Sequence, residues 1–273
     1  YLKYNHPEYV GKSIFWSRVR HNIGNPPVVL DEDKTSSSAN SIRKYLVYRG
    51  YWDAKVDFSH RMDTLAKKAQ ANYKITYKDP TYIKDYFYNI PYDNIRNAYE
   101  QNINDSFIKS GNILDETKLE DEVKRITDLM QEKGYYSFNK NGGEISFTAD
   151  TLKGRKQVPL TMDILKDSIK SPYKLYTIGD IEIQYLDKIA GKPTIDEVFN
   201  NVNIKKVDDQ YKTKTLWRPI TIKKGEIYNQ KNLDLTKRNI ISLNNFSIAT
   251  YEAATKNVEN PNDTIINVKY KLI

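Results

Sequence analysis

A short phrase occurs twice in this sequence and once more in a looser form. Residues 42–56 and 126–138 each run an apolar stripe at i, i+3 and i+4 into a basic residue, then Gly, then two aromatic residues. In the looser form, residues 240–248, Asn stands where the others have Gly, and Asn is the other residue that tolerates a left-handed backbone. Because an internal repeat constrains architecture before any single motif does, the phrase predicts a string of similar small domains.

The phrase has a specific physical meaning. An apolar stripe with a period of 3.6 residues indicates an amphipathic helix, and the basic residue in its last turn favours the carbonyl end of the helix dipole. Gly50 and Gly134 then stand where a positive φ ends the helix. Tyr51 and Tyr135 follow them and complete the predicted helix-stop motif. The alternation of apolar and polar residues after the motif is typical of a half-buried strand.

The order of predicted elements divides the chain into three units, residues 1–79, 80–171 and 172–273. The first unit opens with an irregular entry segment and has no obvious opening strand. Either the chain begins inside a repeat or residues 1–26 take the place of that strand. In the third unit, residues 187–215 are polar with few regular signals, and we interpret them as an irregular insertion.

The second unit shows the predicted order most completely. Its elements are a strand near 81–90, helices at about 92–109 and 115–133, and a hairpin of strands at 144–151 and 157–165. The last strand is predicted to be central, because its apolar positions alternate cleanly. Pro159 interrupts that strand and has no N–H to donate, so it should lie at the strand start or where no neighbour pairs with it.

Composition limits the chemistry that the chain can carry. The 273 residues include no Cys, which excludes disulfides, thiolate metal sites and Cys nucleophiles. His6, His21 and His60 stand in separate segments without metal-ligand spacing, and no phosphate-binding glycine motif occurs. We therefore expect no enzymatic activity, no metal and no cofactor. No apolar run approaches the ~20 residues that span a bilayer. Because the first residue is Tyr rather than Met, we expect the chain to be a piece of a longer protein.

The net charge of +8 raises the question of a polyanionic partner. Lysine pairs occur at 67–68, 205–206 and 223–224, but they are scattered and acidic residues lie between them. This pattern argues against a nucleic-acid interface. Weak attraction to anionic lipid headgroups would explain the lysine pairs equally well, at about 1 kcal/mol per basic residue near such a surface.

Three segments give the sequence a resemblance to a known family: residues 46–56 (LVYRGYWDAKV), 130–138 (MQEKGYYSF) and 224–246 (KGEIYNQKNLDLTKRNIISLNNF). They resemble the polypeptide-transport-associated (POTRA) repeats of BamA/TamA-type outer-membrane assembly factors. Residues 26–31 (PPVVLD) and 134–151 (GYYSFNKNGGEISFTADT) look like the TamA-like lipoprotein branch, TamL. The resemblance covers nearly the whole chain except residues 187–215, and the membrane barrel of the family is absent from it.

The resemblance implies an α+β fold of tandem units, each a small three-stranded mixed sheet covered on one face by two helices. It also implies a periplasmic location, with attachment to the outer membrane through a barrel or lipid anchor outside this chain. Unfolded barrel proteins would bind by adding a strand to an exposed sheet edge. By resemblance that edge is the strand after the Gly-aromatic turn in each unit, at about 54–60, 144–150 and 247–254. In the second unit its residues are Glu144, Ile145, Ser146, Phe147, Thr148 and Ala149.

Two other classes of function stay open at this point. One is a purely structural arm that docks a TamB-like or accessory periplasmic protein. The other is a binder of anionic surfaces or nucleic acid. Salt separates them from strand addition, because binding to a polyanion weakens steeply as ionic strength rises.

Overall fold

The computed structural model describes residues 30–63, 65–66, 68–138, 144–152, 154–165, 173–186, 193–257, 260 and 262–273. The predicted entry segment (residues 1–26), His6 and His21 lie outside these residues. By its contacts the chain forms two compact units, one ending at Thr81 and one running from Tyr82 to Ile273. The fold is α+β, with helices and small mixed sheets.

The first compact unit contains one helix and one hairpin among its described residues. Helix α1 (Glu32–Tyr48) begins after Asp31, whose carboxylate accepts a hydrogen bond from Lys34 N. Strands β1 (Lys55–Asp63) and β2 (Lys68–Thr76) pair antiparallel. The described part of this sheet therefore has two strands, where the expectation for a complete unit was three.

The second compact unit begins with what we call the three-stranded module, residues 82–165. Its elements, in chain order, are β3 (Tyr82–Asn89), α2 (Asp93–Glu100), a 3₁₀ turn (Ile103–Asp105), α3 (Glu116–Glu132), β4 (Ile145–Ala149) and β5 (Gln157–Ile164). Among the described residues the strand order is β3-β5-β4, with β5 central, parallel to β3 and antiparallel to β4.

The helix predicted at 92–109 is too long, because α2 ends at Glu100. The segment after it leaves the helix and returns to α3. Ser106 and Ile108 are buried there, and the Ser106 hydroxyl and Phe107 N both donate to the Glu122 carboxylate. These bonds to a neighbouring helix replace the local helical ones, and a periodicity within one segment does not reveal them.

The five-stranded module, residues 173–273, follows. Its elements are β6 (Thr177–Tyr185), β7 (Ile195–Phe199), β8 (Val202–Lys206), α4 (Thr213–Trp217), α5 (Gln230–Ser242), β9 (Ala249–Thr255) and β10 (Ile265–Leu272). The order in its described residues is β7-β8-β6-β10-β9. The core strand β10 is parallel to β6 and antiparallel to β9, as β5 is to β3 and β4.

The insertion predicted to be irregular contains a hairpin, β7–β8, which extends the sheet beyond β6. Asn200 and Asn201 form its turn with φ values of 48° and 63°. Two successive residues with positive φ give the turn whose twist matches paired strands, and Asn is suited to it. The charged residues of β7 and β8 conceal an alternation in which Val202, Ile204 and Lys206 are buried. The sheet of the third unit is accordingly larger than the three strands expected.

Each module has a separate apolar core. One cluster lies between the three-stranded sheet and helices α2 and α3, and the other lies between the five-stranded sheet and α5. The opening strand is bulged at the same place in both modules. The register shifts between Ile83 and Tyr86 in β3, and β6 shifts opposite Ile266 and Val268 of β10. The two modules thus share one framework to the level of single residues.

Candidate strand-accepting edge

The strand predicted to accept a client, β4, lies at the edge of the three-stranded sheet and pairs with β5. Ile145 and Phe147 are half-buried against the core of the module, whereas Ser146 and Thr148 are exposed. Glu144 stands just before the strand, and its carbonyl accepts a hydrogen bond from Leu165 N at 2.9 Å. The structure therefore brings the predicted residues together on one edge, with the apolar ones facing the helices.

The backbone of β4 alternates between two directions. Glu144 accepts from Leu165, and Asp150 N donates to Pro159 O at 3.0 Å, so even-numbered residues of this segment bond to β5. In an antiparallel pair the residues between them point their N–H and C=O groups away from the partner strand. Those residues are Ile145, Phe147 and Ala149, and within the described ranges their outward groups have no hydrogen-bond partner.

Pro159 lies inside the central strand β5, yet its missing N–H falls where β4 ends. Its carbonyl accepts from Asp150, the first residue after β4, and no N–H returns the bond. The hairpin pairing stops at this point because the next bond has no donor. This is the second of the two placements that the sequence allowed for Pro159.

The other edge of the sheet, β3, is covered at its start by a loop. Ile83 exchanges hydrogen bonds with this loop, accepting from Gly111 N at 2.7 Å and donating to Asn112 O at 2.8 Å. In the five-stranded module Ile178 makes the same pair of bonds with Gly225 and Glu226. Beyond the loop, the hairpin strand β8 covers β6, while β3 has no equivalent neighbour among the described residues.

The loop contacts arise from a second repeat that the sequence reasoning missed. Residues 111–115 read Gly-Asn-Ile-Leu-Asp, and residues 225–229 read Gly-Glu-Ile-Tyr-Asn. Gly111 and Gly225 have φ values of 88° and 86°, and the last residue of each segment caps the following helix. The signal in the sequence was a Gly-x-Ile pattern that ends in Asp or Asn and directly precedes helices α3 and α5.

Gly134 does more than end helix α3. Its φ is 102° and that of Gly50 is 93°, as the helix-stop interpretation predicts. Gly134 also stands at the junction of the two modules, where its carbonyl accepts from Tyr176 N at 2.9 Å. A Cβ at this position would lie 2.7 Å from Ile227 Cγ2, so a side chain is excluded by contact as well as by backbone conformation.

The end of α3 is bonded directly to the start of α5. Asn229 caps α5 by accepting from Asn232 N, and its amide also donates to Glu132 O at 3.0 Å. Lys231 lies 3.7 Å from the Glu132 carboxylate. A polar groove of mixed charge runs between the two helices, lined by Asp128, Glu132, Gln230, Lys231, Asp234 and Arg238. These contacts hold the two modules together at their helix ends.

The two aromatic residues after Gly134 point to different modules. Tyr135 is buried in the core of the three-stranded module. Tyr136 packs edge-on against Tyr176 and Tyr228, at ring-centre distances of 5.4 and 5.1 Å, in the core of the five-stranded module. Burial, with a smaller contribution from Tyr176, raises the pKa of Tyr136, so its hydroxyl stays protonated. The predicted helix-stop motif ended at Tyr135. The repeated phrase contains Tyr136 as its second aromatic residue, but it does not reveal that this ring packs in the next module.

The Tyr136 hydroxyl donates to the carbonyl of Ala253 on the edge strand β9 at 2.7 Å. In β9 the even-numbered residues face β10, since Ile248 exchanges two bonds with Ile273 and Lys256 N donates to Ile265 O. Ala253 therefore points its carbonyl outward, as Ala149 does in β4. Tyr136 occupies one acceptor in the middle of the outward row of β9.

The described residues offer little other site chemistry. They contain no group of three or more His, Asp or Glu side chains arranged to hold a metal ion. In the same part of the chain, no helix is long and apolar enough to cross a membrane. The buried carboxylate of Glu122 has partners in Ser106, Phe107 and Arg125, so this buried charge is satisfied by structural contacts.

No family model and no curated protein matches this sequence. The solved structures that match include POTRA domains. The POTRA3-5 crystal structure of Haemophilus influenzae BamA is 12% identical, with 96% of this chain and 92% of that chain covered and a TM-score of 0.47. POTRA1-3 of Omp85 from Anabaena is 13% identical, with 95% and 89% covered and a TM-score of 0.31. At this identity and these TM-scores the likeness does not establish what the chain binds.

Proposed function

We propose that this chain is a non-enzymatic periplasmic binding and scaffold region of an outer-membrane protein assembly or translocation factor. It consists of three POTRA-like units, and the second receives extended segments of unfolded barrel proteins on β4. The observation that supports this proposal is the outward row of backbone groups at Ile145, Phe147 and Ala149, which have no hydrogen-bond partner in the part of the chain that the structure describes. An added strand would satisfy these groups without needing a particular client sequence.

The length of β4 sets the strength of this interaction. Its five residues present three outward positions, and a hydrogen bond contributes about 0.5–1.5 kcal/mol net. Part of that gain offsets the entropy of ordering the client. Binding is then weak and tolerant of sequence, as a transient handler of many clients requires. The exposed Ser146 and Thr148 add little preference of their own.

A proline on β4 tests the proposal. Ala149→Pro removes an outward N–H and leaves the ladder to β5 intact, because the bond of the next residue, Asp150 N to Pro159 O, is unaffected. We expect it to reduce photo-crosslinking of an unfolded barrel-strand peptide to a probe at Thr148. Ala253→Pro, at the corresponding position of β9, is the matched control and should leave that crosslinking unchanged. Equal crosslinking in both variants, with parental circular dichroism, would remove β4 from the mechanism.

The bonded junction between the two modules favours a second candidate, a structural arm that docks a TamB-like or other periplasmic partner. Gly134, Glu132 and Tyr136 fix the junction through direct bonds, which suits a rigid spacer. In this case Ala149→Pro would leave partner capture unchanged. An anionic-surface binder would instead lose affinity steeply between low and moderate salt, which strand addition would not.

The wider setting of the chain is part of the same proposal. Periplasmic location and anchoring by a barrel or lipid are tested by fractionation of the full-length protein. The presence of a barrel is tested by the downstream sequence of the full gene, in which strands of about ten residues with alternating hydrophobicity would indicate one.

A further inference from the structure

We propose that Tyr136 closes the β9 edge to strand addition, so that an incoming strand is directed to β4. This inference rests on the proposed function and names the residue that decides between two similar edges. Its basis is the hydrogen bond that the Tyr136 hydroxyl donates to Ala253 O. Tyr136 belongs to the three-stranded module, whereas Ala253 lies on an edge of the five-stranded module.

The two edges are equivalent by register. Ala149 lies opposite Leu160 of β5, and Ala253 lies opposite Val268 of β10. Leu160 and Val268 both follow the bulge of the opening strand beside them. Ala149 and Ala253 are thus the same position of the same framework, and each points its carbonyl outward.

The two positions differ in whether the outward carbonyl already accepts a hydrogen bond. In β9 the Ala253 carbonyl lies between the outward-facing backbone groups of Tyr251 and Thr255, so it is central in the row that an added strand would use. A peptide bonding there would have to displace the Tyr136 hydroxyl. The ring would have to move as well, since it is held against Tyr176 and against Tyr228, which is 1% exposed. Strand addition at β9 therefore competes with the junction between modules, and addition at β4 does not disturb that junction.

The second edge of the five-stranded sheet is also limited. The hairpin places β7 outermost, with Asp196 and Glu197 in a strand of five residues. Short length and charge are the usual protections of an edge strand. With β9 closed by Tyr136, both edges of the larger sheet resist pairing, although that sheet has more strands than its neighbour.

The hydroxyl and the ring of Tyr136 can be separated by mutation. Tyr136→Phe retains the ring contacts with Tyr176 and Tyr228 and frees the Ala253 carbonyl. Tyr211→Phe is the matched control, since it removes another hydroxyl-to-carbonyl bond of the five-stranded module, to Asn245 O at 3.3 Å. Both variants should unfold close to the parent temperature, which circular dichroism checks.

The test uses photoreactive residues at the equivalent exposed positions Thr148 on β4 and Glu252 on β9. The probe is a lysine-flanked peptide of about ten alternating valine and threonine residues, the length of a barrel strand. In the parent we expect crosslinking at 148 and only background at 252. In Tyr136→Phe, crosslinking at 252 should rise several-fold and approach that at 148, whereas Tyr211→Phe should match the parent.

The outcomes separate this inference from the proposed function. Equal crosslinking at 148 and 252 in the parent would overturn the role of Tyr136. So would capture at 148 with no gain at 252 in Tyr136→Phe. A gain at 252 in Tyr136→Phe without capture at 148 in any variant would support the role of Tyr136 and overturn the assignment of β4. Absence of crosslinking at both positions in every variant would overturn both.

Discussion

The three-stranded and five-stranded modules are built on one framework but differ in how they are held and in which edges they leave open. In both, the last strand lies between the bulged opening strand and an edge strand, and a Gly-x-Ile loop covers the start of the opening strand. In one, β4 presents an outward row with no bonded carbonyl among the described residues. In the other, Tyr136 occupies the equivalent position of β9, and the β7–β8 hairpin covers β6, the strand that corresponds to β3. The comparison teaches that edge availability is decided by residues outside the shared framework.

The cores of the two modules can be compared in the same way, because one equivalent helix position binds a neighbouring segment through a charged side chain in one module and a neutral side chain in the other. Glu122 in α3 and Thr236 in α5 stand seven residues after their helix caps, and both are fully buried. Glu122 accepts from Phe107 N, and Thr236 accepts from Thr221 N, at 3.0 Å in each case. Each ties the segment before the Gly-x-Ile loop to its helix, one with a charged group and the other with a neutral one.

The largest effect is expected when the charged tie is cut. Glu122→Ala leaves Arg125, whose side chain is 15% exposed, without its carboxylate, leaves Phe107 N unpaired and removes one partner of the Ser106 hydroxyl. Breaking a buried pair in this way costs about 3–5 kcal/mol. Urea unfolding should show this loss, and amide exchange in β5 should accelerate. A change below about 1 kcal/mol would contradict the view that this tie holds the module together.

A smaller loss of stability is expected when Gly134 or Gly111 is replaced. The two positions separate the cost of a steric clash from the cost of a positive φ. Gly134→Val adds the clash with Ile227 to the cost of positive φ, whereas Gly111 has open space around its Cβ position. We expect more than about 1 kcal/mol of destabilisation for Gly134→Val, and a smaller loss for Gly111→Val. Thermal unfolding of the pair measures the difference. Equal melting temperatures would show that the junction yields to a side chain.

The neutral tie should cost less than the charged one. Thr236→Val keeps the shape of the side chain but leaves Thr221 N without its acceptor. An unsatisfied buried donor costs about 1–3 kcal/mol, and the lower half of that range is expected because Thr221 lies near solvent. Fluorescence of Trp217, which lies in the five-stranded module, follows the unfolding of that module in urea once Trp16 and Trp52 are replaced by Phe in every protein compared. A loss as large as that of Glu122→Ala would contradict the distinction between the two ties.

The smallest effect concerns acid stability. Glu182 lies between Lys205 and Lys269 on the open face of the five-stranded sheet, at 2.9 and 3.0 Å. Burial alone would raise its pKa, but hydrogen bonds from Lys205 and Lys269 outweigh that and lower it. A carboxyl with a lowered folded pKa stabilises above its unfolded value, and this contribution disappears as pH falls through the folded pKa.

Glu182→Gln should therefore destabilise the five-stranded module slightly at neutral pH, by roughly 0.5 kcal/mol because the group is partly solvated, and not at all in strong acid. Trp217 fluorescence in urea at pH 7 and at pH 2 measures both values. The corresponding residue of the three-stranded module is Phe87, exposed on β3, so no matching acid dependence is expected there. A loss that persists at pH 2 would assign the effect to packing.

Much of the fold could be predicted from the sequence because the signals are local. Asp115 and Gly134 enclose one helix through a cap and a left-handed stop, and both act within one turn of their own position. The alternation of Val158, Leu160 and Met162 identified the central strand in the same way. Five of the six predicted edge residues, Ile145 to Ala149, also lie on one strand, and its period of two fixes which of them share a face.

What the sequence by itself determined is the two helix stops at Gly50 and Gly134, the central strand of the three-stranded module and the order of the elements outside residues 187–215. The tertiary structure alone decided that residues 195–206 extend the sheet, that Glu122 meets Phe107, and that Tyr136 reaches Ala253. Each of these depends on two segments far apart in the chain coming within hydrogen-bond distance. Tyr135 and Tyr136 are adjacent and chemically alike, yet one fills its own core and the other caps the next module. No pattern along the chain distinguishes them, because the partner of Tyr136 lies 117 residues away.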